Sequence, residues 1–167
     1  MSAIRGRRDV SLVFTGYAEL AGSCTRASTT LLRIKKVLLE LGFVGGRYAA
    51  SRFMKTNTLR FGCAIACPSV TMRVDRATPF AFREDLRIAL DWEAWLRLAR
   101  SPGTFALIRD VCMLHRVHAD SETSAGIADG TRLREDLEVL GMMWPSPIAR
   151  LIASTYGLAY RSNAESQ

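Results

Sequence analysis

No stretch of the chain approaches the roughly 18 consecutive apolar residues of a membrane-spanning helix, because Arg, Lys or Asp interrupts every apolar run earlier. A secretory leader is not expected either, since Arg5, Arg7, Arg8 and Asp9 are followed only by the short run Leu12, Val13, Phe14. The expected location is cytoplasmic or membrane-peripheral. There is no Gly-rich strand-to-helix loop of the Rossmann or Walker kind and no G-x-S-x-G elbow. The four cysteines, Cys24, Cys63, Cys67 and Cys112, form no pair of Cys-x-x-Cys knuckles, which argues against a zinc ribbon. Reduced and mostly buried thiols are the expectation. Repeats and low-complexity tracts are also missing.

What is present is an ordinary globular composition. The chain has 167 residues, 49% hydrophobic and 23% charged. A chain of this length can bury about 70% of the surface its unfolded form exposes, enough for one domain with a core. The formal net charge is +7, spread along the chain and carried mostly by Arg. Such a balance favours anionic partners. A nucleic-acid module would need a concentrated stripe, whereas only the clusters Arg5/Arg7/Arg8 and Arg33/Lys35/Lys36 occur. The second reads as the solvated face of a helix, and nucleic acid is not an expected partner.

Residues 10–17 are rich in β-branched and aromatic side chains and read as a buried strand of a mostly parallel sheet. A polar stretch, Gly22 to Ser28, leads to a helix over Thr29 to Leu41, with Leu31, Ile34, Leu38 and Leu41 at helical spacing. Thr29 or Thr30 is placed to cap it and Gly42 to end it. Residues 43–60 read as a loop with a short helix, and Ala64 to Val74 as a strand interrupted at Pro68. Leu86 to Arg100 is the clearest helix, with Trp92, Trp95, Leu96 and Ala99 on one face and a Glu93/Arg97 pair four residues apart. Thr104 to Ile108 and Val111 to His115 read as two strands, or one kinked at Arg109–Asp110. Asp120 to Gly130 reads as loop, followed by helices over Thr131 to Met143 and Pro147 to Tyr160. The alternation of strands and helices indicates an α/β fold.

Three groups of residues could carry chemistry. Asp91 lies near a helix start, where an acid is commonly a first-turn charge, here with Arg87 one turn earlier as an ion-pair partner. Trp92 beside it can hold the carboxylate partly desolvated, raising its pKa into the range of a general base. Cys112-x-x-His115-x-x-His118 contains metal-ligand types, but strand residues three apart point to opposite faces. One of the histidines as a ligand or acid–base group stays open. Glu84–Asp85 is placed to complement a helix dipole.

Their order carries more than any one of them. Cys67-Pro68-Ser69-Val70 with Arg73 is followed by Phe80 to Leu86 and by Asp91-Trp92-Glu93-Ala94-Trp95-Leu96-Arg97-Leu98-Ala99. A glycine, a strand and Leu114-His115-Arg116-Val117-His118 with Ser121 complete the series. This is similar to the acceptor-side, C-terminal half of family 2 (GT-A type) glycosyltransferases. Leu12 to Tyr17 resembles the strand those enzymes carry after their metal-binding Asp-x-Asp motif. The likeness spans roughly residues 10–160 and is most specific over 63–121.

The resemblance implies an incomplete GT-A-like α/β domain over 1–161 with flanking helices, a helical C-terminus and a polar tail at 162–167. It implies inverting sugar transfer from a nucleotide-sugar to a hydroxyl of a glycan or lipid-linked acceptor. Asp91 matches the family's general base, and His118 a ligand of the divalent Mg or Mn on the donor diphosphate. Trp95 and Arg97 match architectural helix positions. Leu90 stands where the family usually has an acid, and His115 where it has Tyr. No Asp-x-Asp occurs, so the chain is read as a truncated or degenerate member, as one whose gene start was assigned too late, or as paired with a chain that supplies the donor half. The alternative is a non-catalytic binding or scaffold domain that pairs, with itself or a partner, through an exposed apolar patch.

Overall fold

The computed structural model describes residues 6–21, 24–26, 30–73, 80–116 and 122–164. The strands are β1 (Val10–Ala21), β2 (Cys24–Arg26), β3 (Tyr48–Ala49), β4 (Val70–Met72) and β5 (Thr104–Arg116). The helices are α1 (Thr30–Phe43), α2 (Arg52–Asn57), α3 (Leu90–Arg100), α4 (Glu122–Ala128), α5 (Thr131–Gly141) and α6 (Ser146–Ala164). The chain is α/β, with a mixed rather than mostly parallel sheet flanked by helices, and no helix among the described residues is long and apolar enough to cross a membrane.

The sheet is organised on β1, whose β-branched and aromatic run made it legible in the sequence. Its longest ladder is the parallel pairing with β5, from Val10 opposite Thr104 to Leu20 opposite Arg116. The other edge of β1 takes β4 and β2, both antiparallel, and β3 adds antiparallel to β5. Val10, Ser11, Leu12 and Phe14 are buried, and so are Thr104 to Leu107 beside them. Beyond these residues the exposure of β5 rises, so only the first half of the central pair is covered on both faces.

β5 is one strand with an irregularity, and the cause is a glycine. The register shifts between Thr15 and Gly16, which face Ile108 and Val111, leaving Arg109 and Asp110 as the bulge. A Cβ on Gly16 would lie 2.7 Å from the Arg109 carbonyl oxygen and 3.0 Å from that of Asp110. Only glycine admits the bulged carbonyls this closely. Arg109 then reaches back to α1, donating to both Glu40 oxygens at 2.7 Å.

Several expectations are corrected. α1 runs through Gly42 to Phe43 and ends where Val44 and Gly45 take positive φ, 51° and 71°. Gly42 has another role, because a Cβ there would collide with Thr58 at the end of α2. The inward residues of α1 include Gly42 and Phe43, with Leu39 packed on the core, whereas Ile34 and Leu41 are exposed. Pro68 opens a short 3-10 turn, Cys67–Ser69, and the strand after it is only three residues long. Asp120 to Gly130 is not all loop, since α4 occupies Glu122–Ala128. The expected cap at Thr29 lies outside the described residues. α6 continues to Ala164, past the 161/162 boundary.

α3 starts at Leu90, four residues later than the periodicity predicts, and Glu135 of α5 is the reason. Its Oε1 accepts from the Arg87 amide at 3.0 Å, and its Oε2 from Ile88 at 2.8 Å and Ala89 at 2.9 Å. Three amides that would otherwise lie unsatisfied at the helix entry are thus claimed by one buried carboxylate. Glu84–Asp85 does not perform that task. Asp85 pairs with Arg83, and Arg87 pairs with Glu122 and Asp129 rather than with Asp91. The Glu93–Arg97 pair is present at 3.0 Å.

α3 then delivers Trp92, Trp95, Leu96 and Ala99 to the core, where Phe14, Phe43 and Phe105 meet them. Burying such side chains contributes roughly 1.5–3 kcal/mol each. Lys55 of α2 is buried in the same interior, 1% exposed. Its ammonium donates to the carbonyls of Ser101 at 2.6 Å and Gly103 at 2.7 Å, just past the C-terminal end of α3. Positive charge is favourable there.

Candidate functional site

The cap at Glu135 fixes where Asp91 stands, in the first turn of α3 and half-buried. Its Oδ1 accepts from the Trp92 amide at 2.7 Å, and Oδ2 lies 3.9 Å from the thiol of Cys63. Burial raises its pKa, and the Trp92 amide, Arg132 and Lys35 only partly offset that. A carboxylate raised in this way is suited to accept a proton.

The groups around Asp91 come from distant parts of the chain. Burial pushes the Cys63 thiol well up, and the Asp91 charge adds to it. Cys67 is raised by the same two causes in the same order. Next to Cys63 is a cavity of about 10 Å³, lined by Lys35, Arg132, Asp136 and Tyr156 among others. That is close to the space one water needs. Arg132 holds Asp136 at 3.0 Å within α5, while burial raises the Asp136 carboxyl. The Tyr156 hydroxyl is pushed up to about 12, mainly by burial. The cluster therefore joins two carboxyls, a thiol, a phenol and two cations, contributed by α1, α3, α5, α6 and the segment before β4.

Not every residue singled out in the sequence joins it. His118 lies outside the described residues. His115 is on β5, edge-on to Tyr17 with ring centroids 6.3 Å apart, and Cys112 is an exposed thiol. The odd spacing along β5 separates them by face. Among the described residues no three His, Cys, Asp or Glu side chains are grouped to hold a metal ion. The divalent cation that the resemblance implies therefore has no donor set there.

Asp136, Arg132 and Tyr156 went unnoticed in the sequence, and Cys63 was read there only as a reduced thiol. Arg132 and Asp136 had a legible signal, an i,i+4 opposite-charge pair on an expected helix. Nothing local marked Cys63 or Tyr156, which reach Asp91's neighbourhood only through tertiary packing. No family model, curated protein or solved structure matches the chain.

Proposed function

We propose that this chain is a glycosyltransferase-like protein in which Asp91 is the general base of an inverting sugar transfer. The acceptor would be a hydroxyl of a glycan or lipid-linked substrate, and the donor a nucleotide-sugar. The observation that carries the reading is the placement of Asp91. It is a half-buried acid in the first turn of a Trp-rich helix, with its pKa raised by burial. A base so placed takes the acceptor proton as the oxygen attacks the anomeric carbon. Asp91 itself is that proton acceptor. The test is release of nucleotide from a panel of UDP-sugars with hydroxyl acceptors, with and without Mn²⁺. Turnover that disappears in Asp91→Asn supports the reading, and its absence throughout sinks it.

A specific observation favours the second reading, a binding domain derived from such an enzyme. Ile34, Val37, Leu41 and Val44 form an outward stripe on and just beyond α1, with exposure rising from 42% at Ile34 to 77% at Val44. Four aliphatic side chains at helical spacing facing solvent are what an unpartnered interface leaves. Sedimentation of the purified chain, alone and with candidate partner chains, tests it. A monomer at all concentrations that captures no partner contradicts it.

A further inference from the structure

The basic cluster Arg33/Lys35/Lys36 is not simply the solvated face of a helix. All three side chains line a cavity of about 310 Å³ between α1 and the β1–β5 pair, where Arg109 joins them. That volume falls at the lower end of the range of small-ligand sites. Among the described residues one carboxylate faces the same space, Glu40, and it is already held bidentately by Arg109. Arg109 and Glu40 neutralise one another, so among the described lining residues the positive charge without an ion-pair partner is that of Lys35 and Lys36. Among the described residues neither Lys35 nor Lys36 makes an ion pair, and Lys35 donates only to the Tyr17 hydroxyl at 3.3 Å. On the sheet side Leu107 and Val111 flank Arg109, and Ala64 adds a further apolar contact.

We propose that this cavity binds a phosphate-bearing ligand, its phosphate between Lys35, Lys36 and Arg33 and its less polar part on the sheet wall. Lysine ammonium groups act on phosphate as point charges, and a confined space concentrates their field. Convergence from one helix turn gives several donors without extended loops. Tyr17 orients Lys35, which also explains a phenol at the cavity's edge. The same chemistry could arrive as a free phosphate ester or as a lipid headgroup. Lys35 also lines the small cavity beside Asp91, so the test reads binding and not turnover.

Calorimetric titration with inorganic pyrophosphate at low ionic strength tests it. The double variant Lys35→Gln/Lys36→Gln is compared with Arg8→Gln/Arg150→Gln, which removes the same charge at exposed positions away from this cavity. The expected result is about tenfold or more weaker binding in the first. The control should change by less than about threefold. Equal weakening in both, or no binding by the wild type, overturns the site. A measurement on the wild type guards against a misfolded variant. Pyrophosphate should protect Lys35 and Lys36 from acetylation, and lack of protection overturns the proposal. Vesicles containing phosphatidic acid form the second arm. Binding that pyrophosphate displaces assigns a lipid-borne phosphate, and pyrophosphate binding without vesicle binding assigns a soluble one.

Discussion

The thiol of Cys63 lies 3.9 Å from Oδ2 of Asp91, although 28 residues separate them in the chain. The carboxylate's charge adds to burial in holding the thiol protonated. Thiolate is the reactive form, so Cys63 is expected to be inert at neutral pH. Alkylation with iodoacetamide at pH 7.5, followed by peptide mass mapping, should label exposed Cys112 at least about tenfold faster than Cys63. In Asp91→Asn the Cys63 thiol loses a neighbouring negative charge, so its pKa falls and the gap narrows. An unchanged rate in that variant would show that the two side chains do not communicate.

The Glu135 cap predicts a pH-dependent stability. Burial alone would raise this carboxyl, but the amides of Ala89, Arg87 and Ile88 together hold it below its ordinary 4.5. A depressed acid stabilises the fold above its unfolded pKa, and the contribution is lost as pH falls through the folded value. Glu135→Gln should cost about 1–3 kcal/mol in urea unfolding at pH 7. The difference from wild type should shrink below about pH 4. A constant difference across that range would assign the loss to shape rather than charge.

Lys55 predicts the opposite kind of failure. Burial lowers its pKa, and two carbonyls are its recorded acceptors. Lys55→Met keeps the length but strands both oxygens, so it should destabilise by about 2–4 kcal/mol in urea. A loss under about 0.5 kcal/mol, the usual scale for a surface change, would mean that water replaces the ammonium.

Gly16 gives a test of the bulge. Gly16→Ala should cost about 1–3 kcal/mol, because its Cβ meets the Arg109 and Asp110 carbonyls. Hydrogen exchange in β5 should accelerate from Arg109 onwards while Thr104 to Leu107 stay protected. Uniform loss along β5 would contradict a local bulge.

What the sequence revealed followed from local patterning. The apolar run of β1 and the Trp92/Trp95/Leu96/Ala99 stripe of α3 are set by neighbours within a few residues, whereas the bulge at Arg109–Asp110 also needs Gly16 of β1. Lys55 looked like a loop residue because its acceptors are 46 and 48 positions away. The start of α3 was misplaced because Glu135, which claims its entry amides, follows them by more than 45 residues. α4 contains Thr123, Ser124 and Gly126, residues of modest or poor helix propensity. Its support is tertiary: Glu122 reaches Arg87, and a Cβ on Gly126 would collide with Ile88. The site divided similarly, with Asp91 legible through its helix and Trp92, and Cys63 and Tyr156 supplied by packing.

The role of Asp91 is tested most directly by nucleotide release from UDP-sugars in wild type and Asp91→Asn, over pH. General-base assistance contributes about 10²–10⁴-fold, so kcat in the variant should fall by that factor while its circular dichroism is unchanged. Because burial raises the Asp91 pKa above its ordinary 3.8, wild-type kcat should fall as pH drops through the folded value. The variant should lack that limb. Equal turnover in the two proteins, or no turnover in the wild type, would contradict Asp91 as the base.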